Sequence, residues 1–212
     1  MLHKPWAFTK QLVDRMADSS IRDRGFTVQR SSPRSLGLHA STLLKQLHPV
    51  GGNEMAEDQL RLYGLLGLAF EDRAEQALLT LNDDSDWPFR SFRPGEVTAH
   101  GVACSPDILM VPKDDEMEPF ELSLKCKWRS SRGLPTTEEG EDGFPAKWNY
   151  ELSQCATYAL PLGTNKAVLL VYFVCGSWKP PVPQVHAWEL SFSEQEISET
   201  WDALLMIAMD NR

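Results

Sequence analysis

Positive charge is scarce in this chain. Lys and Arg number 21 against 30 Asp and Glu, a formal net charge of −9 at pH 7. A field of that sign repels a phosphate backbone, so any nucleic-acid contact must come from basic groups gathered on one face. Cysteine is equally thin. Cys104, Cys126, Cys155 and Cys175 are widely spaced inside apolar runs, and no CxxC pair exists to clip zinc or an iron-sulfur cluster. Reduced, buried thiols are expected. His39, His48, His100 and His186 show no mutual metal-ligand spacing. No apolar run approaches the ~20 residues that cross a bilayer, and Met1 to Trp6 lacks the apolar stretch of a secretory leader. The expectation is a soluble, cytoplasmic protein with no membrane partner, in the host cytoplasm if the chain is viral. Internal repeats and low-complexity tracts are absent too.

What remains is a chain of 212 residues with 42% hydrophobic content, enough for one sizeable core. Helical spacing runs from Pro5 to Ser19 through Phe8, Leu12, Val13 and Met16, and Phe26 to Arg30 reads as a short strand. A short helix is expected from about Ser41 to Leu47, and a long amphipathic one from Asn53 to about Leu81, broken near Gly64 or Gly67. After a polar loop from Asn82 to Gly95, three strand-like runs follow: Val97 to Cys104, Asp107 to Val111 and Pro119 to Trp128. A Gly- and Glu-rich loop leads to a helix from about Pro145 to Leu160. Strands over 167–174 and 185–190 precede a final helix, where Ser193 and Glu196 fit a capping box. This order predicts an α/β fold with a central mixed β-sheet flanked by helices.

The chemistry is concentrated in Ser105-Pro106-Asp107 and the hairpin partner Phe120 to Trp128. Alternation along the second strand puts Glu121, Ser123, Lys125 and Lys127 on one face, with Leu122, Leu124 and Cys126 on the other. A polar row on a strand flanked by helices implies a pocket. An Asp on one strand and a carboxylate on its neighbour can share an ion such as Mg²⁺, which takes oxygen ligands, and a nearby lysine can orient water or neutralise phosphate.

Pro106-Asp107 followed by Ser123-Leu124-Lys125 resembles the motif of the PD-(D/E)XK nuclease superfamily. Gln154-Cys-Ala-Thr-Tyr158 resembles the QxxxY signature of its RecB-like and lambda-exonuclease-like branch, and the i, i+4 spacing sets both side chains on one helix face. Gly67-Leu-Ala-Phe-Glu71 with Glu75 is similar to the first helical motif of that family. Leu38-His-Ala-Ser41 is similar to its opening segment. Order and spacing agree from about residue 38 to 174, so 1–212 is read as a single nuclease-like domain with 1–37 as an N-terminal extension and 38–212 as a restriction-endonuclease-like core.

The resemblance implies a Mg²⁺- or Mn²⁺-dependent deoxyribonuclease, an exonuclease or DNA-end-processing enzyme of recombination, repair or phage DNA metabolism. Asp107 would be a metal ligand and Glu71 an additional one. Lys125 would position the attacking water, and Gln154 and Tyr158 would hold the phosphate. Ser123 stands where the motif has Asp or Glu. Some restriction endonucleases with Ser-x-Lys supply the carboxylate from the following helix, which makes Glu151 the first candidate replacement; Glu121, one pleat along the strand, is the second. Lys127, Arg129 and Arg132 would contact substrate, with Trp128 able to stack on a base. Partners would be DNA and either a second copy or a recombination or replication protein. If nothing replaces the carboxylate, the alternative is a nuclease-fold binding or assembly module that no longer cuts. A third reading, an acidic mimic of DNA, predicts protein binding without DNA affinity.

Overall fold

The computed structural model describes residues 1–18, 38–49, 57–114, 117–129, 148–175 and 184–210; for 57–63, 128, 129 and 175 it describes the backbone alone. The expected strand at Phe26 to Arg30 and the Gly- and Glu-rich loop lie outside these residues. The architecture is α/β, with a mixed six-stranded sheet between helices. Its strands run in the order β1 (Leu2–Pro5), β9 (Gln184–Ser191), β8 (Lys166–Cys175), β7 (Phe120–Arg129), β6 (Ile108–Pro112) and β3 (Phe89–Phe92). Among the described strands of this sheet, only β7 and β8 pair in parallel. Parallel neighbours need a crossover, and the helix α4 (Asn149–Leu162) supplies it.

Two apolar cores follow from the alternation of the central strands. On one face Ile108, Met110, Leu122 and Leu124 pack with Leu12 of α1 (Thr9–Ala17) and with Phe70, Ala74 and Leu78 of α3 (Glu57–Leu81). On the other, Ala167, Leu169, Val171 and Phe173 pack with α4, α2 (Ala40–Leu47) and α5 (Glu194–Asp210). These are called here the α3 face and the α4 face. Helix α4 ends where Gly163 turns left-handed at φ 66°, and the Gly163 and Thr164 amides donate to the carbonyls of Leu160 and Ala159. The capping box forms at α5: Glu196 N–H donates to Ser193 Oγ at 3.2 Å, and Ser193 N–H to Glu196 Oε2 at 2.9 Å.

Four elements differ from expectation. Helix α3 runs unbroken through Gly64 and Gly67. Val97 to Cys104 is two strands, β4 (Val97–Ala99) and β5 (Val102–Cys104), because His100 and Gly101 both adopt positive φ (50° and 76°) and close a tight hairpin. With β2 (Leu38–His39) they form a separate three-stranded sheet. Strand β3 lies in the expected loop; its Phe-Arg-Ser-Phe alternation beside Pro88 is too short to carry a strand pattern. The described part of 1–37 joins the main sheet. β1 pairs with β9 over Leu2 to Pro5, Trp6 N–H donates to the Ala187 carbonyl at 2.9 Å, and Trp6 and Leu12 are buried in the core. Leu-His-Lys-Pro carries no apolar alternation, so the strand depends on backbone bonds invisible to a pattern reading.

Leu12→Ala should therefore cost about 2–5 kcal/mol in urea unfolding, as for a fully buried core leucine. A loss below about 0.5 kcal/mol would put this segment outside the cooperative unit.

Candidate functional site

The site is made by a fork in the sheet. β6 pairs with β7 only from Ile108–Leu122 to Met110–Phe120, while β7 continues to Arg129 with β8 as its one described neighbour. Beyond Leu122, no strand among the described residues pairs with the edge of β7 that faced β6. Asp107, immediately before β6, occupies the gap: its Oδ2 accepts the Leu124 N–H at 2.8 Å and lies 3.5 Å from Lys125 Nζ. A side chain thus takes the place of the missing strand, as buried amides require. Asp107 and Lys125 keep 22% and 18% of their side-chain surface in solvent, so the fork is reachable.

Behind them lies a cluster of unpartnered oxygens. Glu121 is fully buried, and neither of its carboxylate oxygens has a hydrogen-bond partner; the same holds for buried Ser123 Oγ and Gln154 Oε1. Burial first, and then the charge of Asp107, push the Glu121 pKa well up despite the lowering effect of Lys125. Lys125 moves the other way from what burial alone would do. Burial would lower its pKa, but Asp107, Cys155, Tyr158 and Glu121 together raise it, so the ammonium stays protonated at any physiological pH.

Helix α4 closes the pocket. Gln154 Nε2 donates to the Tyr158 hydroxyl at 3.1 Å, and both side chains are buried. Burial outweighs the lowering effects of Gln154 and Lys125 and raises the Tyr158 pKa, which keeps the phenol neutral and its proton available to a ligand. Cys155 approaches Ser123 from the same helix without satisfying its hydroxyl, and its thiol pKa is pushed well up by burial and then by Glu121. Half-buried Tyr150 is raised by burial, with opposing effects from Lys125 and Glu151. Trp148 instead packs in the core, 5.8 Å from Phe173 and 5.8 Å from Trp188.

Asp107, Glu121, Ser123, Lys125, Gln154 and Tyr158 are thus brought together. Glu151 is drawn away: buried on α4, it forms an ion pair with Lys127, one pleat beyond Lys125. Glu71 acts on the Cys126 thiol, and Cys126 faces the α3 side, opposite Lys125. Arg129 ends β7, with its side chain outside the described part, and Arg132 lies outside it altogether. Sequence reasoning missed Cys155 and Cys104 as pocket walls. Cys104, on β5, has a pKa raised to about 12 by burial, then by Glu121 and Glu96. The alternation of β5 is too short to show which way it faces; for Cys155, its place between Gln154 and Tyr158 was the available signal.

Among the described residues no group of three His, Cys, Asp or Glu converges as a ready metal cage. The orphaned oxygens of Glu121, Ser123 and Gln154 beside Asp107 nonetheless fit a hard, oxygen-seeking cation, which would give a buried carboxylate the partner it lacks.

No family model matches this chain, and no curated protein does. Among solved structures it is similar to LHK-Exo in complex with dAMP, at 13% identity and TM-score 0.48, covering 82% of this chain and 87% of the other. It is also similar to an alkaline exonuclease (LHK-Exo) from Laribacter hongkongensis, at 16% identity and TM-score 0.48, covering 81% and 76%. Both likenesses are remote.

The raised Glu121 pKa sets a pH dependence. The folded chain holds a proton that the unfolded chain releases near the ordinary value of 4.5, so the metal-free protein loses stability as pH rises from there through the folded pKa. Glu121→Gln should flatten this slope and melt above wild type at about pH 8–9 without metal. Saturating Mn²⁺ should stabilise wild type by about 3 kcal/mol at a hundredfold excess over Kd and leave the variant unmoved. Equal Mn²⁺ shifts in both proteins would remove Glu121 from the site.

Proposed function

We propose that this chain is a divalent-metal-dependent deoxyribonuclease of the PD-(D/E)XK kind, with Glu121 replacing the carboxylate that Ser123 lacks. The supporting observation is the convergence, at an open strand edge, of Asp107, Lys125 and the unpartnered oxygens of Glu121, Ser123 and Gln154. Asp107 and Glu121 would hold Mg²⁺ or Mn²⁺. When bound, such an ion supplies Lewis-acid charge at a phosphate.

The remaining work falls to the chain's own groups. Lys125 stays cationic, so it donates hydrogen bonds to an attacking water or a phosphate oxygen and does not act as a base. Because Gln154 donates to the Tyr158 oxygen, the phenol proton points onward to a phosphate. Cys104, Cys155 and the apolar wall behind them limit water at the buried end, which strengthens every charge interaction there. Glu151 has a different role in this reading: its ion pair with Lys127 ties α4 to β7 and sets the Gln154–Tyr158 face over the strand.

This reading puts Glu121 ahead of Glu151 as the replacement carboxylate. The test is cleavage of linear, circular and single-stranded DNA with Mn²⁺. Asp107→Asn and Glu121→Gln should each lower the rate at least about a hundredfold with the fold retained, and Glu151→Gln should cost about tenfold or less. Full activity in Glu121→Gln would overturn the assignment.

A second reading, a nuclease-fold module that binds without cutting, is favoured by one observation, the hydroxyl of Ser123 at the motif position. It gains if wild type is inert while Ser123→Glu cuts.

A further inference from the structure

The α4 face of the sheet does not end at the fork. Residues directly opposite in an antiparallel pair share a face, and the register sets Phe92 against Leu109 and Leu109 against Glu121. Arg90 sits opposite Val111 in the same ladder. Arg90, Phe92, Leu109 and Val111 therefore extend the catalytic row of Glu121, Ser123 and Lys125 sideways to the edge of the sheet. Phe92 lies two strands from Glu121, roughly 10 Å away.

This strip is uncovered. Phe92 is 51% exposed, and neither its side chain nor that of exposed Arg90 has a ring contact, ion pair or hydrogen bond among the described residues, while Leu109 and Val111 are half-buried beside them. The next cation along, Arg93, turns to the α3 face and pairs with Glu75 at 3.4 Å. A flat apolar ring beside a free guanidinium, continuous with a phosphate-cleaving pocket, matches the chemistry of a nucleotide: a π-face to stack and a charge to neutralise. In a chain of net charge −9, that placement is selective. Bases inside a duplex already stack on each other, so only an unpaired base, or the last pair of an end, can offer its face to Phe92.

We propose that the β3–β6 strip is a binding track for an unpaired DNA strand, with Phe92 as its stacking platform and Arg90 as a phosphate contact. The substrate of the fork is then a single strand or a frayed end. The proposal rests on the nuclease reading above.

The experiment uses the full chain carrying Asp107→Asn, which should bind without cutting, and single-stranded oligonucleotides containing 5-iododeoxyuridine. Irradiation should cross-link the base to Phe92, as located by mass spectrometry. Phe92→Ala should abolish that cross-link and weaken single-strand binding about tenfold by anisotropy, whereas Phe92→Trp should retain it. Arg90→Ala should reduce the salt slope of binding by about one. Leu79→Ala, an exposed leucine on α3, should change neither. Unchanged affinity and cross-linking elsewhere in Phe92→Ala would overturn the track and leave the nuclease reading intact. A change in sedimentation with Phe92→Ala at unaltered DNA affinity would assign the strip to a protein partner and overturn it as well. If wild type does not cut and the Asp107→Asn chain binds no DNA, the nuclease reading itself falls and takes the track with it.

Discussion

The parting of β6 from β7 after three paired residues is the constraint from which the pocket follows. Had the ladder continued, the Leu124 amide would have met a backbone carbonyl and the space beside Lys125 would have been filled by a strand. Because it stops, the amide takes Asp107 as its acceptor, and that bond fixes the carboxylate next to the lysine. Pro106, buried just before it, limits the conformations by which the chain could carry Asp107 elsewhere.

The cluster behind Asp107 is unfavourable as folding chemistry. A buried carboxylate with neither oxygen bonded, beside an unsatisfied hydroxyl and amide oxygen, costs several kcal/mol relative to an apolar filling. The surrounding structure sustains it. On one side, Trp6, Phe8, Trp87, Phe89 and Phe120 interlock at 5.1–6.3 Å, mostly edge to face, and on the other Trp148 lies tilted against Phe173 and edge-on to Trp188. Local polar conflict inside a well-packed frame is how binding sites usually depart from good folding practice. Here the conflict sits on one strand face and one helix face, which keeps it from spreading.

Much of this was legible in the sequence, for physical reasons that can be stated residue by residue. The polar row Glu121, Ser123, Lys125, Lys127 is a period-two pattern, and strand geometry alone puts it on one face. The Gln154–Tyr158 pair is a helical period, and the capping box at Ser193 is a local bond between near neighbours. Which of Glu121 and Glu151 lies beside Asp107 and Lys125 was not legible. It depends on a long-range ion pair, Lys127 to Glu151, that forms only once α4 lies across β7. Nor was the β3–β6 register, which alone decides that Phe92 shares a face with Glu121.

The pairing of β1 with β9 has a consequence for the chain in solution. An unpaired strand edge is a template for a foreign strand, and β9 next to the long apolar β8 would be a dangerous one. Lys4 and Pro5 cover it with a charge and a residue that has no amide proton to offer, and Lys4 is further held to Glu189 at 2.9 Å. Stripping those first residues would bare the Trp188 to Ser191 half of β9 and invite edge-to-edge stacking. The colloidal behaviour of the protein is thus tied to a segment that lies at the opposite edge of the sheet from the fork.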